Sequence, residues 1–187
     1  MNTKVLALVG MPGAGKGLCV EYLEQKGWPS VYLGGITVDE VKARGLEINE
    51  GNEKTVREEL RRNEGMDVMA KRILPKIDAL IADGATIVIA DGIYSWAEYK
   101  VFKERFGDDV IVIAVASARR TRHERLHNRP VRPLNDEDAT AREYAEIENS
   151  DKGGPIANAD YTVLNDGTPE STYAQLEAIL AKESITL

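Results

Sequence analysis

The stretch GMPGAGKG, residues 10–17, has the residue types and the spacing of a loop that binds phosphate. Gly10 is followed, after four residues, by Gly15 and Lys16. Glycines let successive backbone N–H groups converge on a phosphate at a helix start, where a lysine ammonium reaches the outer oxygens. A plain glycine-rich turn would not explain a lysine at this position, because the helix dipole disfavours a cation there. The loop therefore predicts a site for nucleotide phosphates.

The residue after Lys16 is unusual for such a loop. A serine or threonine hydroxyl commonly binds Mg²⁺ at this position, but here Gly17 and then Leu18 follow. We therefore expect water, the nucleotide and a carboxylate elsewhere in the chain to hold the metal ion.

Asp91 is the candidate carboxylate. It ends the apolar run ATIVIADG at 85–92, and open α/β sheets bind ligands at the carboxyl ends of their strands. There it could hold Mg²⁺ through water or orient the attacking oxygen. The alternative is a structural role, because aspartate is also a good cap for a helix, and one is expected to begin near Ser95.

A cluster of arginines occupies 118–132, ARRTRHERLHNRPVR, in an otherwise acidic chain. Arg122, Arg125 and Arg129 are three and four residues apart and would share one helix face. Planar guanidinium groups suit the spread charge of a phosphoryl group in transfer, so Arg125 and Arg129 are predicted to be catalytic. The alternative is a solvated charged face.

Five apolar runs predict strands that are buried on both faces, because each is continuous rather than alternating. They lie at 4–10, 30–34, 85–92, 109–117 and 160–166, and segments of helical period lie at 15–26, 37–44, 53–82, 95–106, 118–128, 138–149 and 170–183. This alternation predicts one α/β domain over 1–187, a three-layer sandwich with a five-stranded parallel sheet. The segment 53–82 contains NEGMD and Pro75, so we expect two helices or a kink there.

Composition narrows the function classes. The chain has 187 residues, 43% of them hydrophobic, and a net charge of −7, which argues against nucleic acid as a partner. Its single cysteine, Cys19, excludes an internal disulfide and is expected to be a small buried residue. His123 and His127 are only half of a metal site. Since no signal peptide or membrane span is apparent, we expect a cytoplasmic protein.

The chain resembles adenylate kinase and other nucleoside monophosphate kinases in the loop GMPGAGKG, because these also have glycine after the lysine. It is more similar still to a family of adenylate-kinase-related and dephospho-CoA-kinase-like proteins that is widespread in archaea. The stretches that carry the resemblance cover almost the whole chain: ARGLEI (43–48), EGMDVMAKR (64–72), IVIADGI (87–93), TRHERL (121–126) and ADYTVLNDG (159–167).

The resemblance implies a nucleotide kinase fold with a helical acceptor-side insertion at about 35–82 and a lid arm at about 119–150. Matched to the family, Asp91 is the acid that ends the third strand, Arg125 and Arg129 are paired lid arginines, and Asn165–Gly167 passes the adenine. The implied nucleotide-binding residues are Gly10, Met11, Pro12, Gly13, Ala14, Gly15, Lys16, Gly17, Leu18, Asn165 and Gly167, and the implied catalytic residues are Lys16, Asp91, Arg125 and Arg129.

Two departures from the family concern the acceptor. Relatives carry Gly-Asp and an arginine after the second strand, where this chain has Gly34, Gly35 and Val38. They carry another arginine soon after Asp-Gly, where this chain has Tyr94 and Ser95. Both arginines would be expected to touch the acceptor, which argues against an ordinary nucleoside monophosphate.

Together these features predict an ATP- and Mg²⁺-dependent kinase that moves the γ-phosphoryl group to a small, nucleotide-like acceptor. Two alternatives remain open, a dephospho-CoA-type kinase and an ATP-binding regulatory switch with little turnover. The missing arginines support the switch. A GTPase is disfavoured because the chain has no Asn-Lys-x-Asp sequence to read guanine.

Overall fold

The computed structural model describes residues 3–185, which form a five-stranded parallel sheet between two layers of helices. The strands are β1 (Lys4–Val9), β2 (Ser30–Tyr32), β3 (Ile87–Asp91), β4 (Val110–Ala116) and β5 (Tyr161–Leu164). Their order in the sheet is β2-β3-β1-β4-β5. The strand that leads into the glycine-rich loop is therefore central.

The central strands are apolar because both of their faces are covered. Residues 5–9 of β1 and 110–115 of β4 are all buried. Leu8 of β1 is in register with Asp91 of β3, so the end of β3 lies beside the start of the loop that follows β1.

Nine helices connect or flank these strands among the described residues. They are α1 (Lys16–Glu24), α2 (Gly35–Ala43), α3 (Glu50–Glu64), α4 (Val68–Ala82), α5 (Trp96–Phe106), α6 (Arg119–Asn128), α7 (Asp136–Glu148), α8 (Gly153–Ala157) and α9 (Pro169–Lys182). Leu23 of α1 and Leu176 of α9 pack in the core on one face of the sheet, and Ile77 of α4 and Phe102 of α5 pack on the other. The predicted three-layer α/β sandwich is confirmed.

The segment 53–82 is two helices, as its composition indicates. Gly65 ends α3 with a φ of 102°, which favours glycine, and α4 begins at Val68. Pro75 lies inside α4 and does not end it. The five-residue helix α8 has no counterpart in the sequence prediction, because GGPIA is too short to show a helical period.

Two connections in the fold coincide with the segments expected to contact substrates. Helices α2, α3 and α4 all lie between β2 and β3, where the helical insertion at about 35–82 is predicted. Helices α6 and α7 follow β4 and belong to the predicted arm at about 119–150. None of the helices in residues 3–185 combines the length and the apolar character that crossing a bilayer requires.

Candidate nucleotide-binding site

The glycine-rich loop runs from the buried end of β1 to the first residue of α1, which is Lys16. Gly13 and Gly15 have φ values of 78° and 93°, a region that side chains with a Cβ rarely adopt. A Cβ on Gly13 would lie 2.5 Å from the backbone oxygen of Arg122, and one on Gly15 would lie 2.1 Å from Asn165 Nδ2. Backbone conformation and close packing therefore both require glycine here.

The start of α1 offers unpaired donors for an anion. Within the described part of the chain, the backbone N–H groups of residues 15–17 have no hydrogen-bond partner. In the same described residues the only hydrogen bond of the Lys16 ammonium is to the backbone oxygen of Gly10, at 3.4 Å. Buried or half-buried donors without partners are costly unless a ligand accepts from them. The loop therefore fits the phosphates of a nucleotide.

Arg125 and Asn165 contact the backbone oxygens of this loop and hold it in place. Arg125 Nη1 lies 3.5 and 3.4 Å from the backbone oxygens of Gly13 and Ala14. Arg125 Nη2 donates to the backbone oxygen of Asn165 at 2.7 Å. Asn165 Nδ2 donates to the Ala14 oxygen at 2.8 Å, while Asn165 Oδ1 accepts from Thr172. Both side chains are thus engaged by protein groups and position the loop.

The other residues predicted to bind nucleotide lie around the same loop. Pro12 and Ala14 are buried, Met11 and Leu18 are half-buried, and Gly17 is exposed. Gly167 is exposed in the loop after β5, next to Asp166, which accepts from the backbone N–H of Ala118. This contact joins the loop after β5 to the start of α6.

Asp91 does not cap the helix that follows it. Ser95 caps α5 instead, since its hydroxyl accepts from the backbone N–H of Glu98 in a complete capping box. Among residues 3–185 the Asp91 carboxylate has no hydrogen bond or salt bridge. Burial raises its pKa, while the positive charge of Lys16 opposes that rise. Asp91 therefore lies near Lys16 with both oxygens available for a metal-bound water or an acceptor hydroxyl.

The segment at about 119–150 contains further arginines besides Arg125, which contacts the glycine-rich loop. Arg129 follows α6 and has no carboxylate within salt-bridge distance in the described residues. Burial, and then the neighbouring Arg142 and Arg132, lower the pKa of Arg129. Arg132, with a φ of 54°, pairs with Glu53 of α3 at 2.7 Å. Arg132 thus joins the segment after α6 to α3. Arg129 donates from Nε to the backbone oxygen of Arg132 at 2.5 Å, and its two terminal nitrogens have no partner among the described residues.

Glu143 of α7 links this helix to α6. This buried carboxylate lies 2.6 Å from Arg122 Nη1, 2.9 Å from Arg119 Nε and 3.3 Å from His123 Nε2. His123 thus serves the packing of the arm, and the described residues hold no group of three or more metal-ligating side chains. Burial raises the pKa of Cys19 to about 11, so this thiol is the small buried residue that the sequence suggests.

A buried charged cluster joins α3, α5 and the end of α7. Arg61 Nη2 lies 3.9 Å from Glu98 Oε1, and Arg61 Nη1 donates to the Ser150 hydroxyl at 3.2 Å. Lys152 pairs with Glu146, and its ammonium lies 4.8 Å from the ring centre of Tyr94. No local pattern predicts these contacts, because the partners come from α3, α5, α7 and the loops before α5 and after α7. Val38, which stands where relatives carry an arginine, is half-buried in α2.

Because of the buried pair of Glu98 and Arg61, we expect the free energy of unfolding to depend on pH. Burial raises the pKa of Glu98 to about 7 from an ordinary 4.5, although two backbone N–H groups and Arg61 oppose the rise. Between these values the unfolded chain loses the proton while the folded chain keeps it. The free energy of unfolding should therefore fall by about 3 kcal/mol relative to Glu98→Gln as pH rises through this window. Urea unfolding at a series of pH values measures the difference.

Glu104→Gln, which removes an exposed carboxylate from the same helix, controls for net charge. Parallel curves for wild type and Glu98→Gln would contradict the burial of a neutral carboxyl group.

The chain is similar to known proteins over most of its length. Residues 9–143 match the family described as the AAA domain. A UPF0200/UPF0201 protein of Archaeoglobus fulgidus is 35% identical over 186 residues, which are 97% of this chain and 56% of that protein. This chain therefore spans about half of the length of that relative. A UPF0200 protein of Thermococcus kodakarensis is 35% identical over 179 residues, 94% of this chain and 96% of that protein.

The fold is also found among solved kinase structures. Shikimate kinase from Bacteroides thetaiotaomicron superposes with a TM-score of 0.60 at 15% identity, covering 95% of this chain and 98% of that one. The predicted nucleotide kinase type of fold is confirmed, as is the resemblance to an archaeal family with a phosphate-binding loop.

Proposed function

This chain belongs to the AAA domain family and to the UPF0200 proteins, and on that premise we propose that it is an ATP-dependent phosphotransferase. The observation that carries the proposal is the meeting of Lys16, the unpaired N–H groups of the loop and the unpartnered Asp91 at one edge of the sheet. A binding loop alone would serve any nucleotide-binding protein, but a free carboxylate beside it can also act on an acceptor.

In the proposed reaction, an acceptor oxygen bonds to the γ-phosphorus of ATP while the bond to the bridging oxygen breaks, and ADP leaves with that electron pair. Lys16 and the loop N–H groups hold the β- and γ-phosphates, and Arg129 balances charge on the group in transfer. Asp91 orients the acceptor and takes the proton when the acceptor is a hydroxyl. Bound Mg²⁺, held by Asp91 through water, would neutralise part of the phosphate charge.

The acceptor is proposed to be a small molecule, nucleotide-like in the first instance, with dephospho-CoA as the next candidate. On this proposal the acceptor lies beside Asp91 and Tyr94, with the buried pair of Arg61 and Glu98 nearby. Such a mixture of hydroxyl, cation and carboxylate groups suits an acceptor that carries both hydroxyl and anionic groups.

The test is ADP formation from ATP and Mg²⁺ with a panel of acceptors. The panel contains nucleoside monophosphates, deoxynucleotides, dephospho-CoA and, because of the solved neighbour, shikimate. ADP formation that depends on one acceptor supports the kinase. Slow hydrolysis that no acceptor changes would instead favour a regulatory switch, which the tyrosine at position 94 in place of an arginine makes the second candidate.

Gly17 allows a test of how the metal ion is held. A Cβ at this exposed position would meet no atom within 4 Å, so Gly17→Ser introduces a hydroxyl next to Lys16 without a clash. We expect the Mg²⁺ concentration for half-maximal ATP binding to fall about fivefold, since one added ligand contributes about 1 kcal/mol. Titrating Mg²⁺ in a fluorescent ATP-binding assay measures this value.

Gly17→Ala is the matched control, because it adds the Cβ without the hydroxyl. An equal shift in both variants would contradict a hydroxyl effect and would point to the helix instead.

A further inference from the structure

Lys152 is a buried lysine that the mechanism above does not use. It lies between α7 and α8, is 1% exposed, and donates to Glu146 Oε2. Burying a lysine and a carboxylate together is costly, and apolar residues of similar size often stabilise a protein as much or more. Stability alone therefore does not explain the pair of Lys152 and Glu146.

The backbone directs Lys152 into this position. Asp151 has a φ of 50°, which is unusual for a residue with a side chain. Its N–H donates to the oxygen of Ile147, and the N–H of Lys152 donates to the oxygen of Glu146, so the chain folds back over the last turn of α7. The left-handed backbone of Asp151 thus aligns Lys152 with Glu146.

The segment around Lys152 packs against the loop that follows Asp91. The backbone N–H of Trp96 donates to the oxygen of Ser150 at 3.3 Å, and a Cβ on Gly154 would lie 2.8 Å from the Trp96 ring. The ammonium of Lys152 lies 4.8 Å from the ring centre of Tyr94, three residues after Asp91. Lys152 therefore lies on the acceptor side of the edge where Lys16 and Asp91 meet.

Glu146 is surrounded by cations at the same place. Its Oε1 lies 3.3 Å from Arg142 Nε, and its Oε2 accepts from Lys152. Burial alone would raise its pKa, but Lys152, Arg142 and Lys16 together lower it. Lys16 and Lys152 thus both act on the charge of this one carboxylate, and an anion bound near it would be attracted by both lysines.

Resting on the proposed phosphotransferase function, we propose that Lys152 is a second phosphate-binding lysine, which contacts the γ-phosphoryl group of ATP and is held by Glu146 until the nucleotide binds. The exchange replaces a carboxylate by a phosphoryl group of higher negative charge. Lys16 serves both the β- and the γ-phosphate, whereas Lys152 approaches from the acceptor side and serves the γ-phosphoryl group alone. Lys152 should therefore distinguish ATP from ADP.

The test compares the binding of Mg²⁺ complexes of a non-hydrolysable ATP analogue and of ADP by calorimetry. Lys152→Met should weaken binding of the analogue by about ten- to a hundredfold and leave ADP binding within about twofold. Glu146→Gln removes the competing charge and should tighten binding of the analogue several-fold, again without an effect on ADP. Lys71→Met, which removes an exposed lysine from α4, should change neither affinity.

The double variant Glu146→Gln/Lys152→Met leaves no unpaired charge in the interior and is used if Lys152→Met does not fold. Equal losses of ADP and analogue binding would show a structural role for Lys152. Unchanged binding of both would show that Lys152 has no role at the phosphates. Either result overturns the proposal while ATP binding by the wild type persists. Failure of the wild type to bind either nucleotide would instead overturn the phosphotransferase function.

Discussion

Lys16→Ala is expected to weaken ATP binding by about a thousandfold and to leave the fold intact. Two or more charge-assisted hydrogen bonds to phosphate oxygens are lost, and each contributes about 1.5–3 kcal/mol. Among residues 3–185 the Lys16 ammonium hydrogen-bonds to the Gly10 backbone oxygen alone, at 3.4 Å, so its loss should change the melting temperature little. Calorimetric titration with ATP, together with thermal unfolding, measures both effects.

Lys100→Ala is the matched control, because it removes an exposed lysine from α5. Full ATP affinity in a folded Lys16→Ala protein would exclude the glycine-rich loop as the phosphate site. A large loss of thermal stability would show that Lys16 supports the loop rather than the ligand.

Asp91→Asn is expected to lower turnover by about a hundred- to a thousandfold while ATP binding without Mg²⁺ is retained. The amide keeps the shape but loses the charge that holds a metal-bound water and accepts a proton. Turnover measured across a magnesium titration, in the presence of the acceptor found in the panel, gives the size of the effect.

The same substitution should make the protein as stable as the wild type or more so at neutral pH. Burial raises the pKa of Asp91 from an ordinary 3.8, so the folded state binds the proton more tightly than the unfolded state. The charged form at neutral pH therefore works against folding, and asparagine removes that cost. Reduced stability of Asp91→Asn would show a structural carboxylate, and unchanged turnover would remove Asp91 from the chemistry.

The arginines of the arm divide into two groups that their spacing did not distinguish. Arg125 donates from both terminal nitrogens to groups of the loop and of Asn165, whereas Arg129 donates from Nε to the backbone oxygen of Arg132 and has no carboxylate partner in the described chain. A catalytic role at the phosphates stays a prediction for both. The contacts favour Arg129 for a direct role and Arg125 for positioning the loop.

The sequence by itself determined the sheet and the loop. Five continuous apolar runs predicted β1 to β5, and the spacing from Gly10 to Lys16 predicted the phosphate site at the start of α1. These features are local, because strand burial, glycine conformation and helix polarity are properties of neighbouring residues. For the same reason the end of α3 at Gly65 could be read from the chain.

Only the tertiary structure decided which side chains serve each other. Asn165 reaches Ala14 across 151 positions of sequence, and Arg61 reaches Ser150 across 89. The pairing of Lys152 with Glu146, although short in sequence, depends on the turn at Asp151 and on the packing of that turn against Trp96. Local periodicity carries no information about such contacts, because parallel strands and the segments between them are brought together only by the folded sheet.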